Sequence, residues 1–155
     1  MKTREPRAAI STSGIDDTVR QLRSLLAAES AAVNLYRTAS RDVNDAVLGR
    51  RLTAIAERHA TQAAELRRQI ARLCGDAGTS APPADSWSKL SDVTGSIANG
   101  PSGWMSLRER ERMGLKSYRE ALDRVDRFAR EAFFGSLIPA QLRNVCAWNE
   151  RSPEP

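Results

Sequence analysis

Apolar residues recur at steps of three and four from Ile15 to Val47. Ile15, Val19, Leu22, Leu26, Val33, Tyr36, Val43 and Val47 fall on one helical stripe, interrupted by Glu29 and Ser40. The spacing predicts a helix from about Ile15 to Arg41, capped by Ser13 or Asp16. The short connection Asp42–Asp45 folds the next helix back antiparallel to the first. A second helix, from about Ala46 to Leu73, carries the stripe Leu48, Leu52, Ile55, His59, Gln62, Leu66 and Leu73, and Gly75 beyond Cys74 is its stop signal. The stripe Trp104, Leu107, Glu111, Leu115, Tyr118, Leu122, Val125 and Phe128 predicts a third helix to about Ala129. Phe133, Phe134 and Gly135 place the next turn within Arg130–Ser136, and a short fourth helix follows from Leu137 or Pro139 to Asn149.

Between the second and third helices the chain holds Pro82, Pro83, Gly95, Gly100 and Pro101, with Trp87, Leu90, Val93 and Ile97 spaced as a short amphipathic helix. This connection can run the length of a helix, at ~3.3 Å per extended residue, so the third helix is expected parallel to the second. Residues 1–14 and 151–155 read as flexible termini around one domain, residues 15–150. The expected fold class is all-α: a four-helix bundle of two antiparallel helical hairpins joined by a long crossover, with a short fourth helix.

Composition changes this picture little. Aromatic residues make up 5 % of the 155, and the chain is rich in Ala, Leu, Arg and Glu, good helix formers. The absence of an 18-residue apolar run argues against a membrane span, and a cytoplasmic location with free thiols at Cys74 and Cys146 is the expectation. The net charge of +5 raises the question of nucleic acid. Acidic residues are interleaved with the basic ones, as in Arg108-Glu109-Arg110-Glu111-Arg112, the pattern of a solvated helix face. Non-specific nucleic-acid binding is therefore the third functional reading. No Ser-His-Asp, Cys-His or Gly-rich phosphate-binding pattern is present.

The informative positions are polar ones inside the stripes. Shifted by 82 residues, Ser24, Leu25, Glu29, Tyr36, Arg37 and Ala39 fall on Ser106, Leu107, Glu111, Tyr118, Arg119 and Ala121. Each copy has a glutamate followed seven residues later by a tyrosine, which points to an internal duplication. The same shift takes Ile55, His59, Gln62 and Leu66 to Leu137, Gln141, Asn144 and Trp148. Packed as two hairpins, the halves would bring Glu29, His59, Gln62, Glu111, Gln141 and Asn144 to one level.

A glutamate from each of two helices plus an i, i+3 polar pair from each of the others resembles the ligand layout of ferritin-like di-iron bundles. There the pair is Glu-x-x-His; here it reads His59-x-x-Gln62 and Gln141-x-x-Asn144, and two carboxylates are too few to offset two irons. Segments 35–43 (LYRTASRDV), 64–67 (AELR), 103–105 (GWM) and 118–122 (YREAL) are similar to a family of small bacterial ferritin-like four-helix-bundle proteins of uncharacterised function. That resemblance implies a ferritin-like bundle, associated with stress.

Two readings of the polar positions stay open. In the first, Glu29 and Glu111 form a buried hydrogen-bonded layer with Tyr36, Gln62, Tyr118, Gln141, Asn144 and His59, in a non-catalytic protein without a cofactor. In the second, Glu29, His59 and Glu111 hold one divalent metal, Zn, Mn or Fe, in a metal-binding protein or metal-dependent oxidoreductase. A short fourth helix would leave apolar surface near Phe133, Phe134 and Trp148, so a homo-oligomer is expected.

Overall fold

The computed structural model describes residues 12–75 and 101–148. Most of the expected 1–14 tail, the Trp87–Ile97 helix and the 151–155 terminus lie outside the described residues. Four long helices account for nearly all of what is described: α1 (Thr12–Asp42), α2 (Ala46–Cys74), α3 (Pro101–Ala121) and α4, which runs from Arg127 to Ala147. Helix α1 starts before the expected boundary, so Ser13 and Asp16 lie within its first turns rather than capping it. Helix α2 begins at Asp45, whose carboxylate accepts from the Val47 and Leu48 amides at 2.8 and 3.0 Å. It ends at Gly75 with φ +75°, a left-handed turn that glycine enters without steric cost.

The second hairpin differs from the sequence expectation. Helix α3 stops at Ala121, a 3₁₀ turn spans Leu122–Arg124, and the chain turns at Val125–Asp126. The expected turn at Arg130–Ser136 lies inside α4, so the fourth helix is not short. It comprises an α segment Arg127–Ala132, a π turn Phe133–Leu137 and an α segment Ile138–Ala147. Asp126 starts it by accepting from the Ala129 amide at 3.0 Å, and Arg72 of α2 grips the same carboxylate at 2.9 Å. The π turn has a sequence cause. Ala129, Phe133, Leu137 and Gln141 are all buried at successive steps of four, and a 3.6-residue helix drifts about 40° per such step. One widened turn removes that drift and makes room for Pro139, whose ring would crowd the preceding turn. Phe128, assigned to the core by the stripe, instead lies beyond the turn and is exposed under Arg72, and Val47 at the start of α2 is exposed as well. Asp126→Ala should cost about 1 kcal/mol through the lost cap, somewhat more with the Arg72 contact, read as a lower urea midpoint.

Two apolar clusters give the topology. One joins Ala31, Leu35 and Ala39 of α1 to Leu48, Leu52 and Ile55 of α2, Leu107 of α3 and Trp148 after α4. The other joins Leu22 and Leu25 to Leu66 and Ile70, then Tyr118, Ala121 and Val125, then Ala129, Phe133 and Leu137. Numbers rise from the first cluster to the second along α2 and α3 and fall along α1 and α4. Helices α2 and α3 are therefore parallel and the other two run opposite, as a long crossover requires. Trp104 leans on the first cluster beside Trp148, at 6.4 Å between ring centroids, closing that end. No described helix is long and apolar enough to cross a membrane. Cys74 and Cys146 are exposed and free.

Candidate functional site

Between the two apolar clusters lies a polar layer, and every polar position singled out in the stripes except Ser40, which bonds the Arg37 carbonyl near the end of α1, is in it. Glu29, His59, Gln62, Glu111, Gln141 and Asn144 are all at most 5 % exposed. Tyr36 and Tyr118 each belong to one apolar cluster and turn their hydroxyls toward the layer. The duplicated pairs are crossed. Tyr36 of α1 donates to Glu111 of α3, and Tyr118 of α3 donates to Glu29 of α1 at 2.8 Å. Because α1 and α3 are antiparallel, a tyrosine two turns past its own glutamate comes level with the other copy's glutamate. That is the physical meaning of the seven-residue spacing.

His59 sits between the carboxylates. Its Nδ1 is 2.6 Å from Glu29 Oε2 and its Nε2 is 3.2 Å from Glu111 Oε1. A neutral imidazole would aim a lone pair at one of the carboxylates, whereas the imidazolium donates to both. Burial works against the charged ring, but the hydrogen bonds and charges of Glu111 and Glu29 outweigh it and raise the His59 pKa to about 9. Burial and the adjacent carboxylates, Glu111 for Tyr36 and Glu29 for Tyr118, push both phenols well above their ordinary value. They remain neutral donors at any moderate pH. The Tyr36 ring stacks on the imidazole at 5.3 Å between centroids, holding its plane.

The fourth helix completes the layer. Gln141 Nε2 donates to Glu111 Oε2 at 2.7 Å and to the Glu111 carbonyl at 2.9 Å. Gln62 Nε2 reaches Gln141 Oε1 at 3.3 Å and the Leu137 carbonyl, at the end of the π turn, at 3.4 Å. Asn144 donates to Gln62 Oε1 at 3.4 Å and accepts from Arg58 Nε at 2.6 Å. The π turn thus sets the rotation at which Gln141 and Asn144 face inward.

Two participants carried no mark in the stripes. Arg58 stands outside the α2 stripe, yet its stem is half-buried; burial and the neighbouring Arg143 lower its pKa. Gly114 leaves room for the Gln141 amide: a Cβ there would lie 2.7 Å from Gln141 Nε2. Gly114→Ala is expected to push Gln141 off Glu111 at a cost of about 1–3 kcal/mol, offset by the ~1 kcal/mol of helix propensity that alanine gains, so urea unfolding should show a net loss of up to about 2 kcal/mol. A glycine one turn past a stripe glutamate was the available signal for such a close approach.

The three residues assigned to a metal do meet, but with the ring interposed between the carboxylates. The two imidazole nitrogens point away from each other, Nδ1 to Glu29 and Nε2 to Glu111, with the Asn144 amide nitrogen also 3.4 Å from Nε2. Among the described residues, no group of three or more His, Cys, Asp or Glu side chains is placed to hold a metal ion. A cleft of about 420 Å³ between α1 and α3 reaches this layer, with Glu29, His59, Glu111 and Gln141 on its inner side. Comparison with protein-family models, curated proteins and solved structures gives no match, so the site is interpreted from its own geometry.

Proposed function

We propose that the chain is a non-catalytic, ferritin-like helical bundle in which Glu29, His59 and Glu111 form an ionic layer that sets helix register. The observation that carries this reading is the span of His59, one ring nitrogen to each carboxylate. Sliding α1, α2 or α3 by one turn would leave a buried charge without its partner, a misalignment that an all-apolar core would tolerate more readily. The crossed Tyr–Glu bonds add the same demand on α1 and α3. The parallel α2 and α3 and the repeat at a shift of 82 support the ferritin-like assignment. A second copy would pack on the outer face of α4, where Phe134 and Leu142 are exposed.

A second reading is favoured by the cleft, which gives solvent a path to all three residues. In it, Glu29, Glu111 and one nitrogen of His59 would hold a single divalent ion, and the Gln141 and Asn144 carbonyls would complete the shell. The ion would supply Lewis acidity or a redox centre there.

Metal analysis of protein purified without chelator, paired with melting curves in Zn²⁺, Mn²⁺ or Fe²⁺, separates the two. The ionic-layer reading expects no stoichiometric metal and an unchanged melting temperature. Near-stoichiometric metal with a chelator-dependent fall in melting temperature would overturn it.

A further inference from the structure

We propose that Trp104, Trp148 and Tyr36 form a one-electron path from the surface to the polar layer, storing an oxidising equivalent as a neutral radical on Tyr36. The three rings stand in sequence. Trp104, partly exposed at the end of the bundle, lies 6.4 Å from Trp148, and Trp148 stacks on Tyr36 at 6.4 Å, both between centroids. Tyr36 is fully buried, so an oxidant in solution meets it through the indoles. Packing alone does not demand these indoles. The shift of 82 residues pairs Trp104 with Leu22 and Trp148 with Leu66, and those leucines pack with Tyr118 in the other apolar cluster. Trp148 also brings a buried N–H that lies beside the Tyr36 oxygen outside hydrogen-bond geometry and has no other partner, a cost that a leucine would not incur.

Each step balances. A strong one-electron oxidant, such as an oxygen-centred radical, takes an electron from Trp104 and leaves an indole radical cation. An electron from Trp148 refills Trp104, and one from Tyr36 refills Trp148. With no acceptor at Trp148 Nε1, that indole keeps its proton and passes only the electron. An oxidised phenol is a far stronger acid than the parent phenol, and Tyr36 already donates to Glu111. Its proton therefore passes to that carboxylate as the electron leaves. The products are the reduced oxidant, a neutral tyrosyl radical and a protonated Glu111. A one-electron reductant at Trp104 reverses the sequence and returns the proton to the Tyr36 oxygen. The proton step rests on Glu111 being ionised, as in the ionic-layer reading. Tyr118 is the internal control. It donates to Glu29 at 2.8 Å, but its ring neighbour is Phe133, which oxidants able to oxidise an indole leave intact.

Flash oxidation of the full chain by photogenerated tris(bipyridine)ruthenium(III) tests this, read by transient absorption and by electron paramagnetic resonance of freeze-quenched samples. The chain has two tyrosines, so variants assign the radical. A tyrosyl radical is expected in the parent and in Tyr118→Phe, and none in Tyr36→Phe. Trp148→Phe keeps an aromatic ring but removes the redox site, and should slow radical formation about tenfold or more. Trp104→Phe, at a partly exposed position, should do the same and carries the test if Trp148→Phe fails to fold. No tyrosyl radical in the parent, a radical that survives Tyr36→Phe or is lost in Tyr118→Phe, or formation at the parent rate in a folded tryptophan variant would each overturn the proposal. The titration of His59 judges the ionic layer separately. No radical with His59 titrating at about 9 overturns the electron path alone, and no radical with His59 at its ordinary value overturns both.

Discussion

His59→Leu is expected to lower the free energy of unfolding by about 3–5 kcal/mol at neutral pH. The leucine fills most of the space of the ring, so the loss is not mainly a cavity effect. It comes from leaving Glu29 and Glu111, both nearly inaccessible, facing one another without the cation that each now touches. Glu111→Gln is the matched control. It removes a charge but keeps an oxygen to accept from Tyr36, and the expected cost is the ~1.5–3 kcal/mol of a charged hydrogen bond. Urea unfolding of the two variants beside the parent gives both numbers. A loss for His59→Leu no greater than for Glu111→Gln would mean that the ring is packing and not charge.

The second large effect is a loss of stability on the alkaline side. The folded-state pKa of His59 lies at about 9, above the 6.5 of a free imidazole. A raised pKa means that the folded protein holds the proton more tightly than the unfolded chain. The resulting stabilisation is complete below pH 6.5 and disappears as pH rises through about 9. A shift of that size corresponds to about 3 kcal/mol, to order of magnitude. The tyrosines act in the same direction at higher pH. Their raised pKa values keep them protonated in the fold after the unfolded chain has begun to ionise above pH ~10, which favours unfolding further. Urea midpoints from pH ~6 to ~11 should fall between pH ~7 and ~9 and again above pH ~10. In His59→Leu that decline should vanish, while the step above pH 10 remains.

The first hairpin and the composition of the polar layer were legible in the sequence for one reason: both depend on period and spacing. The α1 and α2 stripes, Gly75 as a stop and the set Glu29, Tyr36, His59, Gln62, Glu111, Tyr118, Gln141 and Asn144 follow from counting residues around a helix. The second hairpin misled because the breaker residues are in the wrong place. Gly135 and Pro139 look like a turn, yet they sit in and just after a π turn of a continuous helix. The real turn at Val125–Asp126 has no glycine or proline, and Leu122 and Val125 extend the α3 stripe through it. Asp126 was the local clue, and the steps of four from Ala129 to Gln141 were the clue to the π turn. With α4 full length, Phe133 and Trp148 are covered within the chain, so the shortness of that helix no longer supports self-association. The crossed Tyr–Glu pairing, the reach of Arg58 and the role of Gly114 depend on how helices meet, which one-dimensional spacing does not encode.

The chain has a single histidine, so the protonated imidazole between the two buried carboxylates can be observed directly. Its imidazole ¹⁵N and ¹³C resonances can be followed from pH 5 to 11 without any assignment ambiguity. The structure predicts an imidazolium at neutral pH, both nitrogens bearing hydrogen, titrating at about 9. A midpoint at or below the ordinary 6.5, with one nitrogen bare at pH 7, would contradict it.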